Sequence, residues 1–359
     1  MKIAIFHDYF GTIGGGEKVV VAMAKALDAD IITTDTTAIR KIDSSVRVIC
    51  LGKTLKYPGL KQISATLKFY FCDVSKEYDF FIFSGNWGHY AAHRHHPNLW
   101  YCHTPVRVFY DQYDSFAERL NPVVRLIFRI GATFGRSIDI RSMAHINRIL
   151  TNSRNVQDRI FRYLHRTSRV IYPPIDTSRY TCKEFGNYWL SVNRVYPEKR
   201  IELQIETFRQ LPDQHLVIVG GWGQGDHSAQ YARIILENLP SNVTFMGEVP
   251  ETKLLELYAC CRALICTSAD EDFGLTPLEA MASGKPVVAV DEGGFTETVT
   301  PETGILVDPD RENLIRAVRQ ISENPEKYSK ACIARAREFD HKEFSKILND
   351  MIKTSQDPS

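Results

Sequence analysis

The sequence predicts an α/β protein built as two doubly wound domains. Short apolar runs alternate with amphipathic helical stretches through both halves, a Pro-Pro pair interrupts the rhythm near the middle, and 359 residues suit two hydrophobic cores better than one. With 44 Lys and Arg, 43 Asp and Glu, 44% hydrophobic and 24% charged residues, the composition excludes a disordered or collagen-like chain.

In the first half, Lys2 to Phe6 is an apolar run, followed by a loop holding Gly11 and Gly14-Gly15-Gly16. Glu17 to Leu27 comes next, with Val20, Met23, Ala24 and Leu27 at helical spacing, so the order is strand, glycine turn, helix. Further strands are expected at Ile31 to Thr33, Val46 to Cys50, Phe80 to Phe83 and Leu99 to Cys102. The second half repeats the rhythm, with short buried strands expected at Tyr188 to Val192, Leu216 to Val219, Val243 to Met246, Ala263 to Cys266, Pro286 to Val290 and Ile305 to Val307. Between them, Ile201 to Leu211 and Arg311 to Ile321 read as helices. Ile201, Ile205 and Phe208 share a face of the first, and Leu314, Val318 and Ile321 a face of the second. Tyr172-Pro173-Pro174-Ile175-Asp176 is the expected join, because paired prolines force an extended segment. Sheets of this kind bind ligands beyond the carboxyl ends of their strands, so two facing domains are expected to hold the chemistry between them.

The charge is uneven. Residues 1–175 hold 24 Lys and Arg against 14 Asp and Glu, whereas residues 176–359 hold 20 against 29. The halves therefore differ in the partners they suit, and the basic half is the candidate for an anionic surface. The eight cysteines form no CxxC pair, which fits a reduced cytoplasmic compartment without disulfides. No signal-peptide pattern is visible and no stretch reaches about 18 uncharged apolar residues, so any membrane contact is expected to be peripheral.

Gly14-Gly15-Gly16 precedes a helix, where bare backbone N–H groups can hold a phosphate; a tight strand-to-helix turn explains the glycines equally well. They do not form the GxGxxG dinucleotide fingerprint. Arg194 and Lys199 follow a strand end and precede a helix, a place where two cations can neutralise a diphosphate. The most specific stretch runs from Glu271 to Val288, EDFGLTPLEAMASGKPVV, in which Glu271 lies in a loop after a strand and Glu279 on the following helix. Carboxylates so placed suit a sugar hydroxyl and a ribose diol beside a phosphate-binding helix end.

That stretch, with Arg194-Val195-Tyr196-Pro197-Glu198-Lys199 and the Pro-Pro-Ile-Asp crossover upstream, resembles the retaining glycosyltransferases of family 4, which have the GT-B fold. The likeness is nearest to mannosyltransferases that build O-antigen and other surface polysaccharides in bacteria and archaea. Tyr101-Cys102-His103-Thr104-Pro105 and Val108-Phe109-Tyr110-Asp111-Gln112-Tyr113 are similar to their first domain. The resemblance implies an acceptor-side Rossmann-like domain at 1–171, a nucleotide-sugar-binding one at 172–335, and a C-terminal helix within 336–359 returning towards the first. It implies that Arg194 and Lys199 hold the donor diphosphate, that Glu279 binds the ribose, and that Glu271 contacts the transferred sugar. The backbone N–H groups of Phe273, Gly274 and Leu275 orient that sugar, Gly15 and Gly16 approach the diphosphate, and His103 sits beside the reacting sugar. The loop Gly247-Glu248-Val249-Pro250 would flank the base. Two departures concern the rim of the donor site: Asn193 replaces a usual glycine, and Gly220-Gly221-Trp222-Gly223 a shorter turn.

The expected reaction is transfer of mannose from GDP-mannose, with retention and without a metal, to a lipid-linked saccharide at the cytoplasmic face of a membrane. Another donor such as a UDP-hexose, or a soluble acceptor, is the alternative within the family. A nucleic-acid-binding protein would leave Arg194, Lys199, Glu271 and Glu279 without a purpose, and a nicotinamide-dependent dehydrogenase lacks its fingerprint. Four of the eleven histidines lie between His89 and His96; His89 and His93, one helical turn apart, can bind zinc, but no third ligand is specified. Eleven arginines and only Asp139 and Asp158 as acids lie from Arg119 to Arg169. There a helix from Pro122 to Arg136 places Arg125, Arg129 and Arg136 on one side, which suits docking on anionic lipid or, equally, a solvated basic face.

Overall fold

The computed structural model describes residues 1–11, 14–36, 45–55, 57, 59–222 and 228–353. The chain divides into two compact units, one of Met1–Pro174 with Lys342–Ser359 and one of Ile175–His341.

The first unit is built on seven strands, β1 (Ile3–Tyr9), β2 (Asp30–Thr34), β3 (Val48–Cys50), β4 (Phe80–Ser84), β5 (Asn98–Cys102), β6 (Arg148–Thr151) and β7 (Arg169–Val170). All pair in parallel, in the order β3-β2-β1-β4-β5-β6-β7. Their helices are α1 (Gly15–Leu27), α2 (Leu60–Phe71), α3 (Tyr113–Glu118), α4 (Pro122–Ser142) and α5 (Arg154–Leu164). A parallel sheet covered on both faces needs strands that are apolar throughout, which is why β1, β4 and β5 read as continuous apolar runs. Ile3, Ile5, Phe80 and Ile82 point to one face, where α1 packs; Ala4, Phe6, Phe81 and Phe83 point to the other, where Ala65 and Phe69 of α2 pack.

The second unit has β8 (Tyr188–Val192), β9 (His215–Val219), β10 (Val243–Gly247), β11 (Ala263–Cys266), β12 (Val287–Val290) and β13 (Gly304–Val307). They too are parallel, in the order β10-β9-β8-β11-β12-β13. Its helices are α6 (Ile201–Arg209), α7 (Ser228–Leu236), α8 (Glu251–Cys260), α9 (Leu275–Ala282), α10 (Phe295–Thr298), α11 (Arg311–Glu323) and α12 (Ser329–Arg337). Where the chain enters and leaves this unit the two passages are bonded to each other: Ile175 N–H donates to Phe339 O (2.9 Å) and His341 N–H to Ile175 O (3.2 Å). The division therefore falls a few residues beyond 171 and 335.

The last helix, α13 (His341–Lys353), lies in the first unit's core from Lys342 onward, with Phe344, Leu348, Met351 and Ile352 buried beside α1 and the sheet. Two strands escaped the sequence reading. In β6 only Ile149 and Leu150 are apolar, between arginine-rich flanks, and β7 is two residues long at the sheet edge. The eight cysteines are all free thiols.

Helix α4 corrects an expectation. Arg125 and Arg136 turn towards the protein: Arg125 donates to the carbonyls of Ala117 (2.8 Å), Glu118 and Leu120, and Arg136 to that of Phe109 while its guanidinium lies 4.4 Å from the Tyr113 ring centre. The carbonyls left open at the end of α3 and in the turn before it attract these cations inward, so they do not form an outward basic face.

Leu348 is fully buried although it lies near the end of the chain. Leu348→Ala should destabilise the first unit by about 2–5 kcal/mol. Hydrogen exchange should then quicken in β1 and α1 and stay unchanged in β8 and β11; unchanged protection in β1 would show that α13 does not hold that core.

Candidate functional site

In the second unit, the loops after β8, β11 and β12 converge beside the start of α9. The chain leaves β8 through Asn193 and Arg194. The Arg194 side chain is exposed and makes no hydrogen bond or ion pair among the described residues. A 3₁₀ turn, Pro197–Lys199, follows, and Arg200 in a left-handed conformation (φ 48°) starts α6. This turn is clamped to the loop after β11. The Thr267 hydroxyl is within hydrogen-bond distance of the carbonyls of Lys199 (2.8 Å) and Arg200 (3.1 Å), Gln204 donates to Thr267 (2.8 Å), and Ala269 N–H donates to Glu198 O (2.7 Å). The result is that Lys199 Nζ lies 2.6 Å from Glu271 Oε2, both side chains being about three-quarters buried.

The loop bearing Glu271 rests on a third strand end. Gly294 N–H donates to Glu271 O (2.7 Å), and Glu292 accepts from Arg200 (2.9 Å) and from the Asp270 N–H (3.2 Å). A Cβ on Gly293 (φ +56°) would lie 2.5 Å from the Glu271 backbone nitrogen, and one on Gly294 2.3 Å from Phe273 Cα, so only glycines admit this approach. Phe273 is buried against Phe339, with ring centres 5.7 Å apart. Gly274 begins α9 without a side-chain cap, leaving the N–H groups of its first turn uncapped by side chains. One turn further along, Glu279 is buried and accepts from the Tyr258 hydroxyl (2.8 Å) and from Tyr180. Burial and this carboxylate push both phenols up, so they remain neutral donors.

In the first unit, His103 follows β5 and its ring lies 3.8 Å from where a Cβ on Gly16 would stand. Helix α1 starts at Gly15, so Gly15 and Gly16 form its first turn instead of the turn before it, and Gly14 supplies no side-chain cap. His103 Nε2 is hydrogen-bonded to Ser84 Oγ (2.9 Å), which also meets His7 Nδ1 (3.3 Å); Asn152 donates to the His103 carbonyl (2.9 Å). Burial pushes His103 down to about 4 and, with His103 nearby, His7 to about 3, so both rings are neutral near pH 7. Asp8 is buried and pushed up to about 6, although the N–H groups of Asn86, Trp87 and Gly88 all donate to it (2.6–2.9 Å). It caps the 3₁₀ helix Gly88–His93.

The structure thus brings Lys199 together with Glu271, and Gly16 with His103. Sequence reasoning missed Thr267, Glu292, Gly293 and Gly294 in one unit and His7 and Ser84 in the other. The signals were available: Glu-Gly-Gly follows an apolar strand, and a His-Asp pair stands in the apolar run of β1. His89 and His93 part company because their helix is 3₁₀, not α. His89 bonds to Asp139 (3.1 Å) and stacks on Trp100, while His93 stacks on Tyr70 (4.3 Å). Among the described residues no three His, Cys, Asp or Glu side chains are grouped as metal ligands. Asn193 donates to Ser191 (2.8 Å), and Trp222 stacks on Phe245; Gly223 lies outside the described residues. The loop from Gly247 follows β10, and the Glu248 carboxylate lies against Gly221.

Residues 179–339 match the family model described as "Glycosyl transferases group 1", which spans nearly all of the second unit. The chain is 25% identical over 303 residues to alpha-1,3/1,6-mannosyltransferase ALG2 of Dictyostelium discoideum, covering 71% of this chain and 70% of that protein. It is 32% identical over 195 residues to the O-antigen chain mannosyltransferase RfbU of Salmonella typhimurium, covering 53% of this chain and about half (55%) of the relative. Among solved structures, Anabaena Alr3699/HepE in complex with UDP and glucose superposes with a TM-score of 0.78 at 19% identity, over 98% of this chain and 99% of that one. The second unit is a glycosyltransferase group 1 domain, and the chain that carries it is a glycosyltransferase of the GT-B fold.

Proposed function

We propose that this enzyme transfers mannose from GDP-mannose to a lipid-linked saccharide at a membrane surface, with retention of anomeric configuration. The observation that carries the reading is the Lys199–Glu271 pair, with the exposed Arg194 on the same loop as Lys199, in a glycosyltransferase domain whose relatives include mannosyltransferases. Arg194 and Lys199 meet the donor diphosphate. Glu271, with the backbone N–H groups of Phe273, Gly274 and Leu275, receives the sugar hydroxyls, and Glu279 the ribose. Gly15 and Gly16 leave the first turn of α1 open to the diphosphate, and His103 orients the sugar.

The chemistry follows from charge. The bond between the anomeric carbon and the diphosphate oxygen breaks, leaving negative charge on the phosphate and positive charge on the sugar carbon. Two fixed cations and a helix N-terminus lower that barrier, and they supply the counter-charge that a metal ion would otherwise provide. The acceptor oxygen attacks from the face the diphosphate leaves, and the acceptor proton passes to the departing phosphate. His103, neutral at the working pH, serves by hydrogen bonding.

Incubation with a panel of GDP- and UDP-sugars and a lipid-linked saccharide tests the reading; release of GDP from GDP-mannose with a mannosylated lipid product is expected, and preference for a UDP-hexose would overturn the donor assignment. A nucleotide sugar at 100 times its dissociation constant raises stability by about 2.7 kcal/mol, so thermal shift ranks the panel first. Lys199→Ala and Arg194→Ala should each lower kcat by about 10²–10³-fold, and near-normal turnover in either would remove the diphosphate role. Because the His103 pKa is lowered, the ring gains its proton only as pH falls towards about 4. The acid limb of kcat/KM should therefore show no inflection near 6.5 that disappears in His103→Asn; such an inflection would show a ring that titrates in the working range.

A further inference from the structure

Helix α4 keeps a long apolar stripe on its outer side although it is a surface helix. Of its 21 residues only Ala132 and Asp139 are buried, and its inward side is mixed, with Phe128 packed on Tyr113 and Phe116 and Ile138 on the core beside several polar groups. Asp139 accepts from the Tyr110 hydroxyl (2.9 Å) and pairs with His89, and Arg125 and Arg136 bond to backbone carbonyls. Its outward stripe is aliphatic and aromatic: Val123, Ile127, Ile130 and Phe134 recur every three or four residues and are 70%, 65%, 65% and 66% exposed. Helix α2 also carries apolar residues on its outer side. Ala65 and Phe69 enter the core, while Leu60, Ile63, Leu67 and Phe71 stand outward, each about half exposed or more.

Both helices pack against the 3₁₀ helix Gly88–His93, and Tyr70 of α2 stacks on its His93, so the two stripes lie on the same side of the sheet. Such an apolar face on one compact unit marks a docking surface. Its charge names the occupant. The two helices hold a single carboxylate, the buried Asp139, while Arg129 and Arg141 are exposed. A second copy meeting this face by two-fold symmetry would set like charges against each other. A bilayer with anionic headgroups offers apolar chains to the stripes and negative charge to the arginines.

We propose that this face, formed by α2 and α4, is seated in the border region of an anionic bilayer, held mainly by the apolar stripes and secondarily by arginine. The proposal rests on the membrane-surface part of the function above and names the residues that enter the lipid.

Flotation of the full chain with vesicles of phosphatidylglycerol and phosphatidylcholine tests it. Binding should persist in part when salt rises from about 0.1 to about 1 M, because only the charge component is screened. The triple variant Ile127→Glu, Ile130→Glu, Phe134→Glu should lose about tenfold or more at either salt, since each change exposes a charge to the apolar region. Arg129→Glu with Arg141→Glu should weaken binding at low salt only, and a Phe134→Trp variant should shift its emission to the blue on adding vesicles. Calorimetric affinity for GDP-mannose reports separately on the function proposed above: its absence with intact flotation would remove the donor assignment and leave this face standing. Failure of the wild-type chain to float at low salt, or equal flotation of the triple variant, would overturn the proposal. So would a wild-type dimer by sedimentation that the triple variant converts to monomer, which would give the face to a second copy.

Discussion

The second unit depends on one constraint: Lys199 and Glu271, from loops after two different strands, must stand 2.6 Å apart while Arg194 stays exposed. An ion pair this close to solvent contributes about 0–1 kcal/mol to folding, so it does not hold the loops in place. The hydrogen bonds of Thr267, Ala269, Glu292 and Gly294 hold them. Backbone geometry positions the charges, and the charges are then available to a ligand. That order of dependence suits a site that must work at the moment charge develops, because preorganised groups need not reorient.

The first unit solves a different problem with neutral groups. His7, Ser84 and His103 form a hydrogen-bonded row at the ends of β1, β4 and β5, and burial keeps both imidazoles uncharged. A neutral ring can donate or accept a hydrogen bond without altering the net charge of its surroundings. Asp8, one residue beyond His7, satisfies the three N–H groups at the turn after β4 and so fixes where Ser84 ends its strand.

How much of this was legible depends on whether the determining interaction is periodic. The buried parallel strands were, because covering both faces forces apolar runs, and all six strands of the second unit stand within a residue or two of their expected positions. Arg194, Lys199, Glu271 and Glu279 were singled out through a family resemblance, since their spacing alone says little, and what the fold adds is the pairing of Lys199 with Glu271. Gly293 and Gly294 were not, because what makes them necessary is the backbone of Glu271 and Phe273, more than twenty positions earlier. His7 and Ser84 were hidden for a related reason: their partners are brought together by sheet register, with His7 paired opposite Ser84 in β1 and β4.

Helix α4 shows the limit most sharply. Periodicity reveals two faces but not which one is turned inward, and the usual assumption sends the apolar face to the core. Here the inward side mixes Phe128, Ala132 and Ile138 with Asp139, Arg125 and Arg136, whose polar contacts set the rotation of the helix, and a second apolar stripe is left outside. Burying a carboxylate is costly unless its partners are supplied, and His89 and Tyr110 supply them for Asp139, while the open carbonyls around α3 receive the half-buried Arg125 and Arg136. The outward apolar stripe is therefore not a by-product of a weakly packed helix. It is the side left over once specific polar contacts have fixed the rotation of the helix, and a chain that takes on that cost has a use for an apolar surface.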